Sequence, residues 1–291
     1  MKIRISYLFA ILLAVACSKI NTEGGDSLEV KFNLLYPSQT RATADAFESG
    51  DVTGLYMTEY VSGTASPLQV SGNIINNAAL TFDGSKWACN PTVYWDKDVE
   101  YDVYGYYPYD KPKSVDDYSF SIATDQSTEK ENGKLGGYEA SDFLWAKAEG
   151  VKYPDEVSLF FSHKMSRLVV TLVKGRDFEG QIPDDVTVLI HSTVTDALID
   201  LNGGAVVKDP YGTVSTIRMK KDGTSTFSAI VVPQRIENKQ PIIEIITNNV
   251  SYLLERKFVF KSGVQHTINV TLTDDPAKAK IEIGGEINGW S

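Results

Sequence analysis

Short runs of β-branched and aromatic residues, each cut off by Gly, Pro, Asn or Asp, recur along this chain from Leu28 onward and leave little room for helices. "VTGLYMTEYV", "ALTFDGSKWA", "TVYWDKDVEYDVYGYYPYD", "LFFSHKMSRLVVTLVKG", "PIIEIITNNVSYLLERKFVF" and "HTINVTL" are examples. Such runs fit a pleated, half-buried surface, and their spacing indicates an all-β chain of the sandwich type. The "DG" of "TFDGSKW" and the "NN" of "TNNVSY" sit where tight hairpins turn and where positive φ is needed. No segment carries a capped helical period; only "TEKENGKLGG" and "SHKMSRL" are compatible with a short helical piece.

A length of 291 residues is enough for two domains, each with its own core. Every tryptophan except Trp290 lies in the N-terminal part, while the later part is richer in Val, Ile and Thr. That shift places a boundary near His163, giving a domain over 28–163 and a second over 164–291. With 42% hydrophobic and 23% charged residues the composition is globular, and a net charge of −10 argues against nucleic acid or an anionic membrane surface as a partner.

The opening residues read as an export signal. Lys2 and Arg4 form a basic start, Tyr7 to Ala16 an apolar run too short for a permanent membrane span, and "LAVAC" ends in Cys17. A Cys after small residues at this place resembles a bacterial lipobox, so residues 1–16 are expected to be removed and Cys17 to carry lipid. Residues 17–27, with the polar "SKINTEGGDS", would be the tether. An ordinary secretory signal with an incidental Cys is the alternative. With Cys17 acylated only Cys89 remains, so no intramolecular disulfide is expected.

In "LEVKFNLLY", Leu28, Val30, Phe32, Leu34 and Tyr36 fall at period two, the mark of a strand with one buried face, which Pro37 and Ser38 stop. Beyond it lies "TRATADAFESGD", where Arg41 is the only arginine between Ser6 and Ser166.

Catalytic patterns are absent from the sequence: no G-x-S-x-G elbow, P-loop, G-x-G-x-x-G after a strand, or H-E-x-x-H. His163, His191 and His266 are isolated, and no ligand spacing or calcium loop is present, so no metal, cofactor or catalytic residue is expected. Cys89 reads as a packed or turn residue. "YDVYGYYPYD" offers two readings. Tyr104, Tyr106 and Tyr107 would stack on sugar rings if exposed; alternatively this is an interior strand, with Tyr101, Val103, Gly105 and Tyr107 on one face and Tyr104 and Tyr106 on the other, and the structural reading is favoured.

Several segments, taken in order, resemble the fimbrillin family, the type V pilins and related surface lipoproteins of Gram-negative gut and oral bacteria. They are the lipobox-like Cys17, "TRATADAFESGDVTGLYM", "VYWDKDVEYDVYGYYPY", "DFLWAKA", "LFFSHKMSRLVVTL", "AIVVPQ" and "IEIGGEINGW". The resemblance implies two tandem β-sandwich domains of transthyretin-like Greek-key topology, no catalysis, and a place at the cell surface as a fimbrial subunit. It further implies a lipidated precursor held in the outer membrane through Cys17, and cutting between Arg41 and Ala42 by an arginine-specific protease. The lost strand would be replaced by a C-terminal strand of another pilin subunit. Removing five apolar side chains from one groove would cost on the order of 8 to 15 kcal/mol as an upper estimate.

The candidate donor is "KIEIGGEINGW", where Ile281, Ile283, Gly285 and Ile287 alternate with Glu282 and Glu286. It reads equally as the last strand of its own sandwich. Stalk, tip and anchor positions, and a host or bacterial surface ligand, all stay open at this point. The competing function is a glycan-binding surface lipoprotein that never polymerises and uses the tyrosine cluster.

Overall fold

A computed structural model describes residues 28–37 and 46–290. Cys17, Arg41, Ala42, the signal segment and its tether lie outside the described residues. The described residues are all-β apart from the short helix Gly137–Ser141 and one 3-10 turn. "TEKENGKLGG" is a loop with a bridge between Glu131 and Lys134 as far as Gly136, only its last residue opening the helix Gly137–Ser141, and "SHKMSRL" is extended, so neither stretch forms a helical piece of its own. In "SHKMSRL" pairing with neighbouring strands outweighs the weak local preference, while in "TEKENGKLGG" Asn132 and Gly133, both at positive φ, turn the chain back on itself.

The first sheet is antiparallel and orders Ser162–His163, Leu144–Val151, Tyr101–Tyr107, Val52–Val61, Ile75–Phe82 and Trp87–Asn90. Against one of its faces packs a small parallel pair, Phe32–Leu35 beside Val157–Phe160. Val30, Leu34, Val157, Leu159 and Phe161 meet Leu55, Leu80, Val103 and Leu144 in the shared core. Gly105 makes the approach possible: a Cβ there would come within 2.9 Å of both Leu159 and Phe161.

Downstream, two sheets stack as a sandwich. One orders Lys220–Lys221, Thr226–Val231, Ser166–Lys174, Val264–Leu272 and Lys280–Asn288; the other orders Val214–Arg218, Thr187–Val194, Pro241–Thr247 and Val250–Glu255. In Val264–Leu272 burial alternates residue by residue, so Ile268, Val270 and Leu272 face Ile190, Ile243 and Ile245 across the core. The turn after Pro241–Thr247 uses Asn248 at φ 49° and Asn249 at φ 60°, the paired positive values that a two-residue hairpin demands.

The two halves share buried material. Tyr56, Tyr104, Tyr106, Tyr118, Phe120 and Phe143 from upstream join the core of the downstream sandwich. Tyr118–Ser121 also pairs with Asp196–Asp200, which pairs in turn with Ala205–Lys208. The centre of the first sheet, Tyr101–Tyr107, is therefore covered on both faces, by its own small core and by the downstream half.

Candidate functional site

Residues 28–36 lie between partners far away in sequence. On one side Val30 N–H donates to Val93 O at 2.9 Å and Trp95 N–H to Leu28 O at 2.7 Å, with an antiparallel bridge between Glu29 and Tyr94. On the other side Val157 N–H donates to Lys31 O at 2.9 Å and Phe161 N–H to Leu35 O at 3.0 Å, in parallel register. The segment thus changes partner midway, bonded on one edge over 28–30 and on the other over 31–35. Its inward face is Val30 and Leu34, fully buried, with Phe32 and Tyr36 half-buried.

Leu28 departs from the expected pattern. It is 39% exposed, because it lies ahead of the strand, where only the segment 93–95 pairs with it and no second sheet covers its side chain. The withdrawn face is therefore smaller than period two alone suggests.

Phe47 enters the same core just after the undescribed stretch and touches four rings edge-on: Tyr36 at 5.1 Å, Trp87 at 4.9 Å, Phe161 at 5.5 Å and Tyr107 at 5.7 Å. Tyr36 also approaches Asp142 Oδ2 at 3.5 Å through its hydroxyl and His163 through its ring. The groove is thus closed at its far end by aromatic contacts that periodicity gave no means of finding, since their partners are brought together only by the fold.

The candidate donor, Lys280–Asn288, pairs antiparallel with Val264–Leu272 as the edge strand of its own sheet. Its register is Val270 with Ile281, Ile268 with Ile283, then Thr267 with Gly285 and Gln265 with Ile287. Gly284 is the unpaired residue of a bulge, and the bulge moves everything after it to the opposite face. Ile281 and Ile283 lie on the inner face; Ile287 shares the outer face with Gln265. The expectation of three isoleucines on one face does not hold in this setting.

The same bulge turns Glu286 inward beside His266, where their side chains stand 3.5 Å apart. A Lys261 ammonium 2.6 Å away holds the Glu286 carboxyl below its ordinary range. His266 is buried against Phe258 and Phe260, and its Nε2 accepts from Lys261 N–H at 3.2 Å. Burial pushes its pKa down; Glu286 opposes that and Lys261 adds to it, both more weakly.

An unfolded imidazole, titrating near 6.5, takes a proton at a higher pH than the folded one, so the stability contributed by His266 is complete above about pH 6.5. It drains away as pH falls toward the depressed folded value. Urea unfolding followed at pH 7.5 and pH 5 is expected to show this loss, and His266→Gln to flatten that part of the pH dependence.

A family model described as fimbrillin-like matches residues 40–290. The chain belongs to the fimbrillin-like family. A candidate fimbrium tip subunit of Bacteroides ovatus is 29% identical over 133 residues, a stretch that takes in 41% of this chain and 25% of that protein. The matched stretch thus spans only about a quarter of the length of that relative.

Crystal structures of candidate cell adhesion proteins share the fold. One from Bacteroides ovatus has a TM-score of 0.70 at 20% identity, covering 91% of this chain and 98% of that one. One from Bacteroides uniformis has 0.66 at 20% identity, covering 90% and 99%. The family is described as fimbrillin-like and these neighbours as cell adhesion proteins.

For this fimbrillin-like chain the sugar-stacking reading of the tyrosines is overturned. Tyr104, Tyr106 and Tyr107 are 4%, 1% and 7% exposed, because Tyr101–Tyr107 is a central strand with both faces covered. The Tyr106 hydroxyl lies 2.7 Å from Asn77 Oδ1 and 2.6 Å from Asp110 O, one of which takes its proton, and burial raises its pKa far above the ordinary phenol value. No ring face is left to a ligand.

The histidines do not converge. His191 pairs with Glu244 at 2.8 Å, His163 with Asp142 at 2.8 Å, and no group of His, Cys, Asp and Glu among the described residues is placed to hold a metal ion. Cys89 is half-buried, and burial lifts its thiol pKa to about 11, which suits a packed residue rather than a nucleophile.

Proposed function

We propose that this chain is a fimbrial subunit, carried to the cell surface as a lipoprotein through Cys17, whose first strand is a removable plug. Its two halves divide near His163. An arginine-specific protease cuts between Arg41 and Ala42, residues 28–36 leave, and a strand from another pilin subunit takes their place.

One observation carries the reading: the segment 28–36 is hydrogen-bonded on one edge to 93–95 and on the other to 157–161, and it buries Val30 and Leu34. Its withdrawal leaves main-chain donors and acceptors at 93–95 and 157–161 over an apolar floor, which is the surface that strand addition recognises. The energetic consequence is a groove that must be refilled.

The donor is assigned to Lys280–Asn288. With its bulge kept, that strand offers Ile281 and Ile283 on one face; with the bulge lost on leaving its sheet, Ile287 rejoins them.

The N-terminal residue of the protein recovered from the cell surface tests the reading. Ala42 on assembled material, changing to lipid-bearing Cys17 when Arg41 is replaced by Ala, supports it. A chain that keeps residues 28–36 in assembled fimbriae refutes it.

A further inference from the structure

The first and last strands of the chain meet at one imidazole. His163 is buried, and the Trp290 ring stacks on it with centroids 3.6 Å apart and planes 17° from parallel. Tyr36 meets the same imidazole edge-on at 5.7 Å and 78°, and Asp142 Oδ1 sits 2.8 Å from its Nδ1. Tyr36 ends the first strand's segment. Trp290 follows Gly289, which ends the last strand.

Little else seats that last strand. It is bonded along one edge to Val264–Leu272, while Ile283 and Ile287 stay 50% and 47% exposed and only Ile281 packs on the core. Surface contacts add to this: Lys261 with Glu286, and Arg256 Nη1 with Ile281 O at 3.3 Å. Gly289, at φ 58° and donating its N–H to Gly263 O at 2.9 Å, turns the chain inward so that Trp290 is buried. Trp290 is thus the anchor of an otherwise exposed edge strand.

The anchor is held by packing and opposed by solvation. Trp290 Nε1, His163 Nε2 and Arg167 Nε are buried with no hydrogen-bond partner among the described residues. Buried polar atoms in that condition favour any arrangement that returns them to water. Against this stand the ring stack, the Tyr36 edge on His163, and the Arg167 guanidinium 5.2 Å from the indole centroid. Removing one holding contact shifts the balance toward release.

We propose that these rings are a latch: Tyr36 on His163 keeps Trp290 stacked, and departure of the first strand frees the last one. The inference rests on the reading of 28–36 as removable. Its consequence is order. An uncut subunit keeps its own C-terminal strand in its own sheet, and donation becomes available only after the cut.

Hydrogen exchange on the full chain tests this. Tyr36→Ala is expected to speed exchange of the Lys280–Asn288 amides by about three- to tenfold, the worth of one aromatic contact, while Pro241–Thr247 stays protected. In a Trp290→Ala background, which lacks the anchor, Tyr36→Ala should add nothing further. If Tyr36→Ala does not fold, Tyr36→Leu keeps the apolar volume and carries the same expectation. Unchanged exchange in Lys280–Asn288, or an undiminished Tyr36 effect without Trp290, overturns the latch.

Replacing residues 38–45 with the site of a sequence-specific protease separates this idea from the one beneath it. If cutting leaves Val157–Phe160 protected, the strand does not leave and the removable-plug reading fails, while the Tyr36 variants still decide the latch. If cutting exposes Val157–Phe160 but leaves Lys280–Asn288 unchanged, the latch fails and the plug stands.

Discussion

A chain that lacks residues 28–37 is expected to lose roughly 4 to 9 kcal/mol of stability in its N-terminal half, reckoned from two buried and two half-buried apolar side chains as an upper bound. That is comparable to the whole stability of a domain, so the upstream sheet should no longer unfold cooperatively. The figure lies below what five buried side chains would give, because Leu28 is exposed and Phe32 and Tyr36 are only partly covered.

The individual positions should therefore rank. Leu34→Ala, in a site enclosed by both layers, is expected to cost about 2 to 5 kcal/mol. Leu28→Ala should stay within about 0.5 kcal/mol, as surface changes do. Chemical denaturation of these variants measures the ranking directly. Adding back a peptide of sequence 28–37 should restore a cooperative transition to the truncated chain; a truncated chain as stable as the parent would show that the groove has no need of a strand.

Much of this arrangement was legible from periodicity alone, because periodicity reports which face of a strand is covered. The alternation in "LEVKFNLLY", the two-sided aromatic pattern of "YDVYGYYPY" and the turn residues in "TNNVSY" all state local rules that the fold obeys. The parallel pairing of Phe32–Leu35 with Val157–Phe160 was not legible, since neither strand's pattern names its partner. Pairing between distant strands is decided by the packing of whole layers.

The bulge at Gly284 is a subtler loss. Two consecutive glycines weaken a strand and allow a bend, but only the partner strand determines whether the register slips, and the slip reverses where Ile287 points. The cluster of Tyr36, Asp142, His163 and Trp290 draws on four separate stretches of chain. A lone histidine and a lone terminal tryptophan carry no sequence signal of each other. What links the proposed plug to the proposed donor therefore appears only in three dimensions.

Beside the shared core and the pairing of Tyr118–Ser121 with Asp196–Asp200, one side chain at the junction between the two halves predicts a large effect. Thr226–Val231 pairs with Ser166–Lys174 on one side, but on the other Lys220–Lys221 covers only Ser228 and Phe227. The main chain of Ile230 would be left open there. Gln126, fully buried, fills the gap: its Nε2 donates to Ile230 O at 2.8 Å and its Oε1 accepts from Ile230 N–H at 2.8 Å. The carboxamide thus serves as the missing strand residue and ties the upstream half to the downstream sandwich. Gln126→Ala is expected to cost roughly 2 to 5 kcal/mol, because it leaves a buried donor and a buried acceptor unpaired at once. Gln126→Glu separates hydrogen bonding from volume. An ionised carboxylate still accepts from Ile230 N–H but sets an oxygen against Ile230 O, so burial and that repulsion raise the introduced group's pKa. Its penalty should be complete above the raised folded value and should shrink as pH falls through it, when the protonated acid can donate to Ile230 O. Denaturant unfolding of the Glu variant between pH 7.5 and pH 5, read against the parent to subtract the opposite trend of His266, checks the sign. A Gln126→Ala chain of unaltered stability would show that the main-chain pairing of Tyr118–Ser121 with Asp196–Asp200 and the shared apolar core hold the two halves together without this carboxamide.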